Sequence, residues 1–176
     1  MTELVRPHVR YHRSFLDTAR ELEAEGNGGF LDLGRHPLET LQGEAGFASY
    51  VRELLARALP ETPRPADHVP DTVLWVVDGE QMLGRLSIRH SLTPFLLEVG
   101  GHIGYAVRPS ARRRGHASAA LRLALAVAHD LGIDPALLTC DEDNTASRLV
   151  IERGGGRLED VRAGKRRYWL ATTGGQ

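Results

Sequence analysis

A basic segment with a glycine, RRRGHAS at 112–118, is the part of this sequence whose residue types most directly suggest chemistry. It follows His102 to Val107, which predicts a strand, and precedes alanines and leucines at helical spacing. The first N–H groups of a helix lack partners within the helix, and the helix dipole adds positive charge there. Gly115 and Ala117 leave space beside the backbone, and the arginines attract anions. The segment therefore predicts a pyrophosphate site, and the alternative is a surface turn that is basic by chance.

The elements around this segment predict a mixed α/β domain with an antiparallel meander, a strand–helix–strand crossover and a final hairpin. Helices are predicted around Tyr11–Leu22, Phe47–Ala58, from Gly115 onward and from Asn144 to Arg153. Strands are predicted at Leu4–Val9, Thr72–Val77, Met82–Arg89, His102–Val107, Ala136–Cys140, Arg157–Val161 and Arg166–Leu170. The crossover predicts parallel pairing of the strands on either side of its helix. Gly26–Gly46 shows no clear period, and Ser91–Glu98 is read as an irregular excursion.

Composition sets limits on the class of protein. The chain has 176 residues, of which 41% are hydrophobic and 26% are charged, so we expect one globular domain spanning 1–176. The net charge of −1 argues against a nucleic-acid or membrane partner. The single cysteine, Cys140, excludes an internal disulfide and fits a cytoplasmic protein. No His/Cys spacing supports zinc, and Asp141–Asp143 lacks the pattern of a calcium loop, so no metal is expected.

Arg112, Gly115 and Ala117 match R/Q-x-x-G-x-G/A, so the chain resembles the GNAT N-acetyltransferase superfamily, from about Leu4 to Leu170. The resemblance implies a GNAT-like acyl-CoA acyltransferase fold, with a central mixed sheet, a βαβ cofactor-binding unit and flanking helices. The C-terminal half also resembles a bacterial subgroup of predicted acetyltransferases. That closer match rests on Arg89-His90, Gly101–Tyr105, Thr139–Asp141, Asn144, Ser147, Gly154-Gly155 and Tyr168-Trp169.

The resemblance also implies where acetyl-CoA binds. In the family, two parallel strands splay apart around the pantetheine arm, which corresponds here to Tyr105–Val107 and Leu137–Cys140. Backbone groups near Val107 would polarise the thioester carbonyl, and Asn144 and Ser147 are further candidate contacts. The pyrophosphate would bind backbone N–H groups of Arg112, Arg113, Arg114, Gly115, His116, Ala117 and Ser118. Asn144 equally predicts a helix N-cap, and Ser147 equally a surface serine.

The proton-transfer groups are less well defined. The position that often carries the family's acidic tyrosine is Ile151, so Ser147, Tyr168 or solvent would have to protonate the leaving thiolate. His102 and Glu98 are the candidate bases, since an imidazole with a pKa of about 6.5 accepts protons at neutral pH. The alternatives are a hydrogen-bonded strand histidine and a solvated loop carboxylate.

We therefore expect an acetyl-CoA-dependent N-acetyltransferase that acts on a primary amine of a small molecule or protein, as a monomer or homodimer. A non-catalytic acyl-CoA-binding sensor or interaction module is the alternative. The acceptor is expected near the two early helices, Gly26–Gly46 and Ser91–Glu98. Asp32, Glu39 and Glu44 are either attractants for a cationic amine or ordinary surface charges.

Overall fold

A computed structural model describes residues 1–173 and shows the predicted mixture of helices and antiparallel strands. The strands are β1 (Thr2–Val5), β2 (Asp71–Asp78), β3 (Gln81–Arg89), β4 (Ile103–Val107), β5 (Ala136–Asp141), β6 (Arg157–Arg162) and β7 (Lys165–Leu170). The helices are α1 (His12–Ala24), α2 (Leu38–Leu41), α3 (Glu44–Ala56), α4 (Pro94–Glu98), α5 (His116–Asp130) and α6 (Thr145–Arg153). The mixed α/β class is confirmed.

The strands form two antiparallel sheets, with orders β1-β2-β3-β4 and β5-β7-β6. Both predicted hairpins are present. The first turns at Gly79, which has a φ of 59°, and the second at Ala163-Gly164, where both residues have positive φ. Two successive left-handed residues match the right-handed twist of the strands that they connect.

The predicted parallel pairing of the strands that flank α5 is wrong. β4 pairs with β3 and β5 pairs with β7, and in the described chain β4 and β5 are not neighbours in either sheet. They approach at one end, through an isolated bridge between Gly101 and Leu138 and a 2.7 Å bond from the His102 N–H to the Leu137 carbonyl. A Cβ on Gly101 would lie 2.4 Å from that carbonyl oxygen, so glycine is required for the approach. Beyond this contact no ladder joins the two strands in residues 1–173, and we call this separation the gap.

Two apolar clusters cover opposite faces of the first sheet. Leu74 and Val76 of β2 belong to the cluster that includes α5, and Trp75 and Val77 to the cluster with α1 and α3. This is the alternation expected of a strand that is buried on both faces. The sheet therefore has an α5 side and an α1/α3 side, and β4 lies at its edge.

Three segments differ most from the sequence prediction. The first strand ends at Val5 and not at Val9, because Pro7 cannot continue the ladder and a short 3-10 helix follows. Gly26–Gly46 contains a 3-10 helix at Gly28–Leu31 as well as α2. Ser91–Glu98 contains α4, whose start is capped by the Thr93 hydroxyl. Among residues 1–173, no helix is long and apolar enough to cross a membrane.

Candidate active site

The turn between β4 and α5 presents backbone N–H groups to open space. Gly115 is the N-cap of α5, has a φ of 84°, and makes no side-chain cap. A Cβ at Gly115 would meet nothing within 4 Å, and Arg113, Arg114 and Ser118 are exposed around it. Because α5 has 15 residues and an uncapped first turn, this geometry suits a bound anion. The binding of a pyrophosphate at this turn stays a prediction.

Arg112 has a different role from its two neighbours. Its guanidinium binds both carboxylate oxygens of Glu25, at 2.6 and 2.7 Å, and its Nε donates to the Val107 carbonyl at 2.9 Å. The hydrogen bonds from Arg112 lower the pKa of the Glu25 carboxyl. Arg112 therefore fastens the turn to the end of α1, and its charge is matched within the protein. Of the three arginines that were expected to attract an anion, Arg113 and Arg114 are the two left to do so.

His116 is also used internally. Its Nδ1 lies 2.9 Å from the Thr2 hydroxyl, and the side chain is 8% exposed. The imidazole thus joins the start of α5 to β1, and what it offers to a ligand is its backbone N–H. Ala117 is partly buried and packs against the core.

Two hydroxyl groups meet between β4 and α6. The Tyr105 hydroxyl lies 3.1 Å from the Ser147 Oγ, and the Asn144 side chain accepts a 3.0 Å bond from the Ser147 N–H. Asn144 is therefore the predicted N-cap. Burial raises the pKa of Tyr105 to about 12, although the bond with Ser147 opposes this shift. Tyr105 keeps its proton at neutral pH, so this pair can hold or pass a proton but not act as an anion.

Tyr168, the other hydroxyl candidate for the acid, is buried in the core, as is Ile151, which stands at the family's tyrosine position and has no proton to donate. Ile151 is 1% exposed, and its Cγ2 is so close to Gly156 that a Cβ there would lie 2.6 Å away. The fully buried Tyr168 donates its hydroxyl proton to Glu152 at 2.9 Å. Of the substitutes left open by the sequence, Ser147 is the one whose hydroxyl lies between β4 and α6.

His102 connects the two sheets. Its Nδ1 accepts a 2.9 Å bond from the Leu137 N–H. Burial, followed by the nearby charge of Arg89, lowers the pKa of His102, so the ring is neutral and carries its proton on Nε2. The acceptor lone pair is thus occupied, and this geometry favours the structural alternative. Glu98 forms an ion pair with Arg162 at 2.9 Å. A catalytic role for either residue stays a prediction.

A small charged pocket on the α1/α3 side of the sheet was not anticipated from the sequence. It has a volume of about 140 Å³ and is lined by Gly29, Phe30, Asp32, Arg57, Asp71, Arg85, Ser87, Arg89 and Gly104. Asp32 accepts 2.8 Å bonds from both Arg57 and Arg85. Burial opposes ionisation of Asp32, but the two arginines outweigh it and lower the pKa. Its charge is already matched, which removes the expected attraction of a cationic amine by Asp32.

A second groove runs between α5 and α6 from the first turn of α5. Its volume is about 390 Å³, and it is lined by Ser118, Ala119, Arg122, Leu125, Val150, Arg153 and Gly154. Arg122 and Arg153 were missed because each is indistinguishable in sequence from an ordinary solvent-facing helix residue. Together with the open turn, they provide positive charge along the groove between α5 and α6. In the part of the chain described, no three His, Cys, Asp or Glu side chains form a metal-binding group.

The open turn before α5, beside the separation of β4 from β5, is the strand–turn–helix arrangement that the resemblance to acetyltransferases implies. The Acetyltransferase (GNAT) domain model matches residues 43–157, which is more than half of the sequence. The chain belongs to the GNAT acetyltransferase family. A comparison with functionally curated proteins found no match.

Solved structures with the same fold include several acetyltransferases. The microcin C7 self-immunity acetyltransferase MccE, in complex with acetyl-CoA and AMP, is 15% identical with a TM-score of 0.64, covering 97% of this chain and 92% of that one. RimL, a ribosomal L7/L12 alpha-N-protein acetyltransferase in complex with coenzyme A, is 17% identical with a TM-score of 0.62, covering 97% and 93%. RimJ from Mycobacterium smegmatis, in complex with CoA-disulfide, is 18% identical with a TM-score of 0.63, covering 97% and 80%. At these identities, the likeness shows the fold.

Proposed function

We propose that this acetyltransferase moves an acetyl group from acetyl-CoA to a primary amine of a small molecule or protein by direct attack. The observation that carries the proposal is the uncapped first turn of α5, which opens beside the groove between α5 and α6. Backbone N–H groups from Arg113 to Ser118 would hold the pyrophosphate, and Arg122 and Arg153 would add positive charge along the groove. Structures of MccE and RimL with bound acetyl-CoA or coenzyme A support this assignment.

At the carbonyl carbon, the reaction forms one bond and breaks one bond. The neutral amine nitrogen bonds to the carbonyl carbon, the carbon–sulfur bond breaks, and the electron pair of that bond goes to the sulfur. The nitrogen loses one proton and the thiolate gains one. Charge that develops on the carbonyl oxygen is stabilised by preorganised N–H donors, which we place on the backbone near Val107.

Ser147 is our candidate for protonating the thiolate. Tyr105 is protonated at neutral pH, and its hydroxyl can donate to the Ser147 Oγ. The Ser147 proton would pass to the sulfur as the Tyr105 proton moves to the Ser147 Oγ, and Tyr105 would recover its proton from solvent. The N-cap bond to Asn144 fixes the backbone of Ser147 at the start of α6. Because a thiol has an ordinary pKa of about 8.5, its thiolate leaves readily and needs only modest help from an acid.

The acceptor ammonium must lose a proton before attack. His102 and Glu98, the candidate bases from the sequence, are both engaged in internal contacts. We infer that this proton leaves to solvent, since the His102 Nδ1 is occupied by the Leu137 N–H and the Glu98 carboxylate is paired with Arg162. A pH profile of kcat/KM without an ionisation near 6.5 is expected on this basis.

Release of free thiol from acetyl-CoA, with mass spectrometry of the acceptor, tests the proposal. We expect amine-dependent release and a mass increase of one acetyl group. Binding of acetyl-CoA with no transfer to any amine or peptide N-terminus would contradict the proposal and favour the non-catalytic binding module.

A further inference from the structure

One side chain in the charged pocket has no carboxylate partner. Arg89 Nη1 donates to the carbonyls of Gly100 and Gly101, at 3.1 and 3.0 Å. Among residues 1–173, no salt bridge links Arg89 to a carboxylate, whereas Arg57 and Arg85 both bind Asp32. Neutral carbonyls satisfy hydrogen-bond donors but do not balance a full positive charge. Arg89 therefore has binding capacity that the protein leaves unused.

The pocket as a whole carries an excess of positive charge. Its lining holds three guanidinium groups, on Arg57, Arg85 and Arg89, against two carboxylates, on Asp32 and Asp71. Burial lowers the pKa of Arg89, and although Asp71 opposes this, the nearby Arg57 and Arg85 lower it further. An anion placed here would relieve that repulsion, and partial burial would strengthen its attraction to Arg89.

Gly104 leaves the guanidinium accessible from β4. A Cβ at this position would lie 3.7 Å from both Nη1 and Nη2 of Arg89, so a larger side chain would cover both nitrogens. The next residue, Tyr105, points to the opposite side of the sheet, where it meets Ser147. The pocket and the proposed proton donor thus lie on opposite faces of the same strand, next to the gap.

The size of the pocket fits one chemical group and not a whole substrate. Pockets that enclose complete small molecules have volumes of about 300–1,000 Å³, and this one has about 140 Å³. A carboxylate or phosphate is a group of this size, and guanidinium binds both through two parallel hydrogen bonds.

We propose that the charged pocket binds an oxyanion, a carboxylate or a phosphate, on the same acceptor molecule that carries the reacting amine, and that Arg89 is its principal ligand. This inference rests on the proposed function, because it names the class of acceptor for that activity. The two arginines paired with Asp32 shape the pocket, and Arg89 supplies the free charge.

Matched amines test the inference. The panel pairs free amino acids with their amides, and includes aminoalkyl phosphates to separate a carboxylate from a phosphate. We expect the preferred anionic amine to have a kcat/KM at least tenfold above its neutral partner. Arg89→Gln should lower kcat/KM for the anionic amine ten- to a hundredfold. It should change kcat/KM for the partner without the oxyanion by less than about threefold. Arg20→Gln, on the exposed face of α1, is the control and should change neither value of kcat/KM.

A binding measurement covers the case in which Arg89→Gln folds poorly. Ser87→Asp adds a carboxylate to β3, two residues from both Arg85 and Arg89, and leaves the bonds from Arg89 to Gly100 and Gly101 in place. Calorimetric titration of the CoA-saturated protein with sodium malonate and with sodium phosphate should show binding of at least one anion. In Ser87→Asp the affinity should fall at least tenfold.

The outcomes separate the two proposals. Acetylation of amines with equal kcat/KM for charged and neutral partners, in wild type, would overturn the anion pocket and leave the acetyltransferase proposal intact. Anion binding that Ser87→Asp removes, without acetylation of any amine, would support the pocket and contradict the proposed function. Absence of malonate and phosphate binding together with no preference among amines would overturn the pocket.

Discussion

The Nδ1 atom of His102 accepts a 2.9 Å hydrogen bond from the backbone N–H of Leu137, and the His102 N–H donates to the Leu137 carbonyl at 2.7 Å. This reciprocal pair joins the residue before β4 to the start of β5, where the two sheets meet. It lies next to Gly101, which allows the close approach. The separation of β4 from β5 therefore depends on His102, which the sequence analysis identified as a candidate base.

Replacing His102 with alanine should reduce stability more than chemistry. The buried Leu137 N–H would lose its acceptor, which costs about 1–3 kcal/mol, and chemical denaturation measures this loss. His102→Asn should recover part of it, because the Asn Oδ1 can accept the same bond. When equal amounts of folded variant and wild-type protein are assayed, kcat should change less than about threefold. A hundredfold loss of kcat in His102→Asn, with normal stability, would instead identify a base.

The lowered pKa of His102 also predicts a pH dependence of stability. Between the folded pKa and the unfolded value of about 6.5, the unfolded chain binds more protons, so the free energy of unfolding falls as the pH drops below about 6.5. His102→Asn lacks this titration, and its stability should change less from pH 7 to pH 5. If the free energy of unfolding has the same pH slope in the wild type and in His102→Asn, the pKa of His102 is the same in the folded and unfolded states.

Removing the Ser147 hydroxyl should slow the transfer step. Ser147→Ala is expected to lower kcat about ten- to a hundredfold with little change in the KM for acetyl-CoA, because general acids contribute mainly in the transition state. Tyr105→Phe should give a smaller loss, since it removes only the partner hydroxyl. The control is Ser91→Ala, an exposed serine before α4. Unchanged kcat in Ser147→Ala would assign the proton to solvent.

Asp32→Asn should destabilise the charged pocket. Arg85 is 5% exposed and would lose its carboxylate partner, which we expect to cost about 1–3 kcal/mol, reduced from the range for fully buried pairs because Asp32 is partly exposed. Since the folded pKa of Asp32 is lowered, its contribution is present above the unfolded pKa and is lost as pH falls through the folded value. The variant should therefore lose less stability on acidification. Asp17→Asn, on the surface of α1, should change stability by less than about 0.5 kcal/mol.

The local parts of the site could be predicted from sequence because they depend on neighbours in the chain. The turn at Gly115, the N-cap at Asn144 and both hairpins follow from residue type and spacing. The fold class followed from the order of the predicted elements, and the family from the resemblance of its motifs to known acetyltransferases. These features need no information about distant residues.

The parts that could not be predicted depend on contacts between distant segments. Glu25 and Arg112 are 87 positions apart, and Asp32 and Arg85 are 53 positions apart. Nothing in the local pattern distinguishes a matched arginine such as Arg112 from an unmatched one such as Arg89. The strand–helix–strand pattern likewise predicted parallel pairing, because periodicity does not show that β5 pairs with β7 instead of β4.

The most direct test of this account is thermal unfolding with and without saturating acetyl-CoA, for the wild type, Gly115→Glu and Gly132→Glu. Gly132 also has a positive φ and open space for a Cβ, at the other end of α5, so it controls for backbone strain. A ligand at a hundred times its Kd adds about 2.7 kcal/mol, which should raise the wild-type Tm by about 5–10 °C. We expect the same rise in Gly132→Glu and none in Gly115→Glu. No rise in the wild type, or an equal rise in Gly115→Glu, would contradict the assignment of the turn before α5 as the acetyl-CoA site.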